Sequence, residues 1–361
     1  MAMKDESSGR RAGIKQIADA LGISIGTIDR ALHDRPGVSA KTRDRVLKMA
    51  QKLNYSPNLA ARNLKLNRHF RIGVFLPEQI ASFFNPLREG IKSAADGSVD
   101  TTTEVVFHSY PRLRKGDVEA MEAHDWRQFD GIILAPGNPL RLSSICRTAQ
   151  KENRPLVFVA TDAGRMHRLS SITVESTISG GIAAELLGQI VQSHKAVVVI
   201  TGDLKIQDHA EKLRGFAAAL VTLAPHLHML PAIESHESSD DAHRAALELI
   251  GRCPDLGGIY ISTANSIPVV QALEKSGYLG KVRVIATDLF PEMAQLVESG
   301  QIFATLYQRP FTQGRMAFDI LSRYLVNGVP PSRTVRLAPH IVLRSNLALF
   351  MDDLSHATQQ L

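Results

Sequence analysis

The sequence predicts a small all-α head followed by an α/β body built on two parallel sheets, and three observations support that expectation. Apolar residues recur at helical spacing in three short segments before residue 54. From Arg71 onward, short β-branched runs alternate with amphipathic helical stretches, the pattern of parallel strands covered by helices on both faces. The charge is also divided. Residues 1–71 carry 15 Lys+Arg against 6 Asp+Glu, and the rest carry 27 against 30. A basic head on a slightly acidic body points to a polyanionic partner for the head alone.

In the head, Ile14–Leu21 and Ser24–Leu32 read as two helices joined by Gly22-Ile23. Glycine tolerates the positive φ of a tight turn, and the Ser24 hydroxyl suits an N-cap. A third helix opens at Ser39 and runs from about Ala40 to Leu53, with Val46, Leu47, Met49, Ala50 and Leu53 as its buried face and Pro57 beyond its end. Helix, glycine turn, helix is the helix-turn-helix arrangement, whose second helix enters a major groove. The next stretch, "NLAARNLKL", is a possible two-turn helix, too short to be stable in water without a partner.

The body offers eight strands: "RIGVFL", "EVVFHS", "DGIILA", "PLVFVA", "AVVVIT", "GGIYIS", "VRVIAT" and "FATLYQ". Helices are expected near 84–96, 140–152, 177–193, 209–224, 239–250, 266–277, 291–299 and 312–327. Eight strands suit two sheets side by side, with ligands bound beyond the carboxyl ends of the strands. A chain of 361 residues is too long for one ordinary domain. Two cysteines, Cys146 and Cys253, make no disulfide framework. The opening "MAMKDESSGRRA" has no apolar signal-peptide core, and no run approaches the ~18 apolar residues of a membrane span. A cytoplasmic protein with no membrane partner is expected. There is no GxGxxG after the first strand, no phosphate-binding GxxxxGK[ST], no nucleophile elbow and no His-Cys metal set. No enzyme activity, cofactor or metal is therefore expected, and His226 and His228 in "PHLHML" read as a surface turn.

The pieces "IADALGIS", "GTIDRAL", "RPGVSAKTRDRV" and "LNYSPNLAARNL" resemble the amino-terminal DNA-binding region of the LacI family of transcription regulators. Further on, "RIGVFLP…FFNPLREGI", "VVVITGDLKIQDHAEKLRGF", "IYISTANSIPVVQAL", "VRVIATDLFP" and "GQIFATLYQRPFTQGRMAFDIL" resemble that family's periplasmic-binding-protein-like sensor. Together they cover nearly the whole chain. The resemblance implies a tail at 1–12, a helix-turn-helix domain at 13–57, a hinge helix and linker at 58–70, and a two-subdomain α/β sensor at 71–352. One subdomain would take 71–174 and 310–336, the other 177–306 and 337–352, leaving a tail at 353–361.

The resemblance also implies functional residues. Ile25, Gly26, Asp29 and Arg30 would face the groove, with Arg30 placed either to read a guanine edge or to contact phosphate. Asp29 stands where the family commonly has a small hydroxyl residue, and it would accept from a cytosine amine or pair with Arg30. Ser24, Thr27, Ser39, Thr42, Tyr55 and Asn58 match positions that grip the DNA backbone. Leu64 matches the leucine that wedges into the minor groove, with Ala60 and Ala61 small enough for two hinge helices to approach. In the sensor, Phe84, Asp162, Lys212, Asn265, Asp288 and Gln308 match effector-binding positions. Lys212 replaces the arginine usual in sugar-binding members, and Ser266 follows Asn265 where an aspartate is usual. A point-charge ammonium does not copy a guanidinium fork, so a sugar alcohol, an acidic sugar or another polyol stands beside a plain hexose as effector.

The function expected is a ligand-responsive transcription factor, most simply a repressor, binding double-stranded operator DNA as a homodimer. The alternative is a solute-binding protein serving a sugar transporter, against which the basic head and the missing signal peptide both argue.

Overall fold

The alternation of β-branched runs with amphipathic stretches resolves into two parallel sheets in a computed structural model. The structure describes residues 13–32, 34–53, 55, 69–98, 103–164 and 166–351. The expected tails and hinge helix, including Asn58, Ala60, Ala61 and Leu64, lie outside the described residues.

The head folds as three helices: α1 Ile14–Leu21, α2 Ile25–Leu32 and α3 Ala40–Lys52. Gly22, at φ +65°, ends α1 in the left-handed region, and its N–H donates to Ala18 O. The three helices close on Ile17, Ala18, Ile28, Ala31, Val46 and Ala50, all buried. Leu47 departs from expectation: it is 49% exposed and lies outside that core. Val46 and Ala50, four residues apart on α3, supply the inward face instead.

In the body, the first sheet contains β1 Phe70–Pro77, β2 Thr103–Tyr110, β3 Gly131–Leu134, β4 Leu156–Val159, β5 Ser170–Val174 and β12 Val335–Leu337. Their order is β12-β5-β4-β3-β1-β2, all parallel. The second sheet contains β6 Ala196–Thr201, β7 His228–Met229, β8 Ile233–Glu234, β9 Leu256–Ile261, β10 Arg283–Thr287, β11 Ala304–Tyr307 and β13 His340–Val342. Its order is β13-β11-β10-β9-β6-β7, with β8 also on β6 and only β13 antiparallel. The helices are α4 Ala81–Asp96, α5 Asp117–Ala123, α6 Pro139–Lys151, α7 Ser176–Ile190, α8 Gln207–Leu223, α9 Ser239–Arg252, α10 Ile267–Lys275, α11 Pro291–Glu298 and α12 Pro310–Asn327. The chain therefore builds the first sheet, then the second, and returns through α12. There Ala317, Phe318 and Leu321 pack with Leu87 and Ile91 beneath the first sheet.

One helix contact sets the position of the later site. An added Cβ on Gly180 of α7 would sit 1.9 Å from Lys212 O, and one on Gly215 of α8 would sit 2.0 Å from Thr177 O. The two helix backbones touch, and this fixes where the Lys212 side chain starts. Gly180→Val should therefore cost about 3 kcal/mol or more in urea unfolding. Gly251→Ala, with nothing within 4 Å of the new methyl, should gain about 0.5–1 kcal/mol by stiffening the unfolded chain. Equal stability of Gly180→Val and the parent would contradict the backbone contact.

Candidate functional site

On α2, Ile25, Gly26, Asp29 and Arg30 occupy the face opposite the buried Ile28 and Ala31. Ile25 is half exposed and Arg30 exposed, as a groove-reading surface needs. The flanking hydroxyls are helix caps. Thr27 N donates to Ser24 Oγ at 3.2 Å, and Thr42 N donates to Ser39 Oγ at 3.2 Å. The Thr27 and Thr42 hydroxyls stand 2.9 and 2.8 Å from the same serines. Asp29 forms an ion pair with Arg35 at 3.1 Å, a partner that the sequence did not suggest. Tyr55 packs against the head core, and burial together with Asp29 raises its phenol above the ordinary value.

In the body, a cleft with about 420 Å3 of unfilled space opens beyond the strand ends. Of the six expected effector residues, Phe84, Lys212, Asp288 and Gln308 come together on its wall. Asp162 and Asn265 do not. Asp162 accepts from Ser171 Oγ at 3.1 Å and forms an ion pair with Arg168, which locks the loop after β4. Asn265 Oδ1 lies 3.4 Å from Ser239 Oγ, and its N–H donates to Thr263 Oγ1 at 3.2 Å.

Lys212 is the organising group of the floor and is 1% exposed. Its Nζ lies 2.8 Å from Asp208 Oδ2, 3.0 Å from Gln308 Oε1 and 3.3 Å from Ser262 O. An ammonium has three donors, so all are used. Burial works against the charged lysine, but Asp208 foremost, with Tyr260 and Asp288, outweighs it and raises its pKa. Burial likewise opposes ionised Asp208, yet Lys212 and His209 hold its pKa below the usual carboxylate range. Asp288 receives hydrogen bonds from Gln308 Nε2 at 2.7 Å and Gln308 N at 3.2 Å. Burial still pushes its carboxyl up to about 6, against the pull of Lys212.

Several cleft residues were not anticipated. Asp208 had one legible signal, its place four residues before Lys212 on a helix. His209 Nδ1 accepts from Asp203 N at 2.9 Å, which leaves the proton of a neutral ring on Nε2. That nitrogen is 3.3 Å from Glu237 Oε1, without hydrogen-bond alignment. Glu237 Oε2 accepts from Thr263 Oγ1 at 2.7 Å. Thr161 Oγ1, Ser262 Oγ and Glu237 Oε1 are buried with no hydrogen-bond partner among the described residues, and all three residues line the cleft. Unsatisfied buried polar atoms cost stability. Thr161 Oγ1 and Ser262 Oγ are thus open to a hydrogen-bond partner in the cleft, while Glu237 Oε1 keeps its contact with His209 Nε2. Phe84, edge-on to Phe83 at 5.0 Å, lines the same cleft and supplies an apolar wall.

Four residues lining this cleft are non-glycine with left-handed backbone: Ile80, Ala160, Glu237 and Asp288. Such conformations are costly and persist where the surroundings impose them, as they do at binding sites.

A helix-turn-helix head and a two-lobed α/β cleft in one chain define a DNA-binding regulator with a small-molecule sensor. Residues 13–58 match the family profile of bacterial regulatory proteins of the lacI family, and residues 72–328 match the periplasmic binding protein domain. The chain belongs to the lacI family of bacterial regulatory proteins. It is 22% identical to catabolite control protein A of Priestia megaterium over 92% of this chain and 98% of the relative. It is 26% identical to the ribose operon repressor of Bacillus subtilis over 86% of this chain and 90% of the relative. The body shares its fold with an Agrobacterium vitis transporter solute-binding protein bound to α-D-tagatopyranose. The TM-score is 0.70 and the identity 19%, over 77% of this chain and 96% of that one. A Bacillus halodurans solute-binding protein with bound myo-inositol matches at a TM-score of 0.71 and 16% identity, over 79% and 98%. No helix among the described residues is long and apolar enough to cross a membrane.

Two outcomes follow from the buried charges. Lys212→Met leaves Asp208 buried without its cation and should cost roughly 3–5 kcal/mol, much of it recovered in Lys212→Met/Asp208→Leu. Chemical denaturation of both variants decides this, and a mild single variant would contradict the pairing. For Asp288, the native pKa of about 6 lies above the unfolded value near 4. Between those values the native state binds the extra proton, so this group's stabilisation is full below pH ~4 and is lost as pH rises through ~6. Asp288→Asn should therefore flatten the fall in stability across that window, and an unchanged slope would refute the assignment.

Proposed function

We propose that this protein is a transcriptional repressor that binds a pseudo-palindromic operator as a homodimer in the cytoplasm, with operator affinity set by a sugar or polyol in the cleft. The observation behind the ligand class is the pair of buried hydroxyls without a hydrogen-bond partner among the described residues, Thr161 Oγ1 and Ser262 Oγ, in the cleft that Phe84 also lines. Hydroxyl groups satisfy the former, and the apolar face of a sugar ring covers the latter. The ribose operon repressor of Bacillus subtilis and the sugar-bound structural neighbours agree with this class.

On DNA, Arg30 donates to a guanine edge from the exposed face of α2, and Ser24, Thr27, Ser39, Thr42 and Tyr55 hold the phosphate backbone. Asn58, Ala61 and Leu64 form the hinge segment, with Leu64 as the minor-groove wedge. The effector then acts through its different affinity for the two states, and it cannot shift the equilibrium by more than that difference.

Arg30→Ala should weaken operator binding by about 1–3 kcal/mol and relax discrimination at one base pair. Thr42→Ala should weaken all sequences alike. Fluorescence anisotropy on operator variants separates the two, and an Arg30→Ala protein with undiminished discrimination would overturn the base-reading role. Thermal shifts across a sugar and polyol panel test the cleft. At least one compound should raise the melting temperature of the parent but not of Phe84→Ala.

A further inference from the structure

A second cavity, with about 840 Å3 of unfilled space, adjoins the effector cleft and shares Leu113, Ile206 and Glu237 with it as common wall. Its outer wall is cationic. The segment after β2, "PRLRKG", places Arg112, Arg114 and Lys115 on it. A turn closed by Lys115 N donating to Arg112 O at 3.0 Å holds the three together.

Their partners differ. Arg114 forms an ion pair with Asp203, which follows β6, so that link joins the first lobe to the second. Arg112 and Lys115 are exposed, and their side chains have no ion-pair partner among the described residues. Arg114 itself, together with His236 and Glu237 on the facing wall, adopts left-handed backbone. Strained non-glycine residues thus stand on both sides of this cavity.

The charges of the inner cleft run the other way. Asp208, Asp288 and Glu237 line it, and the one lysine there is already satisfied by Asp208, Gln308 and Ser262. An anionic group at that depth would meet carboxylates and find no free cation. Hydroxyl donors fit the inner cleft, and negative charge fits only the mouth.

We infer that the effector is a phosphorylated sugar or polyol, bound with its hydroxyls in the inner cleft and its phosphate between Arg112, Arg114 and Lys115. A phosphate dianion offers three acceptor oxygens and draws charge-assisted bonds from guanidinium and ammonium donors. It would bring two unused cations to the point where Arg114 already links the lobes, so it would favour the closed cleft. This inference rests on the cleft being the effector site.

The test is calorimetric titration of the full chain with matched probes: D-glucose and D-glucose 6-phosphate, D-fructose and D-fructose 6-phosphate, and inorganic phosphate alone. Each is run at low and high ionic strength, on the parent and on Arg112→Ser/Lys115→Ser. Both substituted positions are exposed, and an unchanged melting temperature without ligand confirms that the variant is folded. At least one phosphorylated probe should bind roughly tenfold or more tighter than its neutral partner. That advantage should shrink with salt and be lost in the double variant, which should bind the neutral partner as the parent does. Neutral sugars binding as tightly as their phosphates, or a preference that survives in the variant, would overturn the inference and leave the sugar cleft standing. Inorganic phosphate binding as tightly as the sugar phosphates would overturn it in favour of a free-anion site. Binding of none of the probes would remove both this inference and the sugar reading of the cleft.

Discussion

The sensor depends on one buried cation. Lys212 brings a full positive charge into the interior at the end of a tight helix contact, where Gly180 and Gly215 let α7 and α8 touch. An unpaired ion at that depth would be prohibitive. The structure answers with Asp208 one turn back on the same helix, Gln308 after β11 and the Ser262 carbonyl after β9. Gln308 in turn holds Asp288 after β10. One ammonium thus gathers the ends of three neighbouring strands onto one helix and fixes the floor of the cleft. A preorganised floor lowers the cost of binding.

That constraint changes the roles of the residues. Lys212 is expected from its position to grip a ligand, but its donors are spent inside the protein. The groups left incomplete around it are the Thr161 and Ser262 hydroxyls. The lobes also meet directly, through Arg114 with Asp203 and through Gln79 Nε2 donating to the Glu237 carbonyl. Glu237 thereby belongs both to the cleft wall and to the lobe contact.

Much of the fold was legible because its signals are long and periodic. α1 and α2 fell within a residue of their expected bounds, and the eight long strands all formed. The strands missed are those with little sequence to read. β7 and β8 have two residues each, β12 and β13 three each, and β5 is the serine-led "SSITV". They exist through pairing with strands already in place, which no local pattern records. In the site, Phe84, Lys212, Asp288 and Gln308 were readable by position. Glu237 was not, since it reaches the cleft from an irregular loop with φ +57°. Asp162 and Asn265 looked equivalent to the others in sequence, yet a neighbouring arginine claims the first and a helix-capping segment holds the second. Competition from nearby partners is a three-dimensional property.

The head reads DNA, and the cleft adjusts how tightly it does so. Selection of bound duplexes from a random pool by the full-length protein, repeated across a sugar and sugar phosphate panel at fixed physiological ionic strength, tests both halves in one measurement. The account predicts enrichment of a pseudo-palindromic sequence, and at least one compound that changes its affinity severalfold while leaving non-specific binding unaltered. A pool that emerges without enrichment, or an enriched site whose affinity no cleft ligand moves, would contradict it.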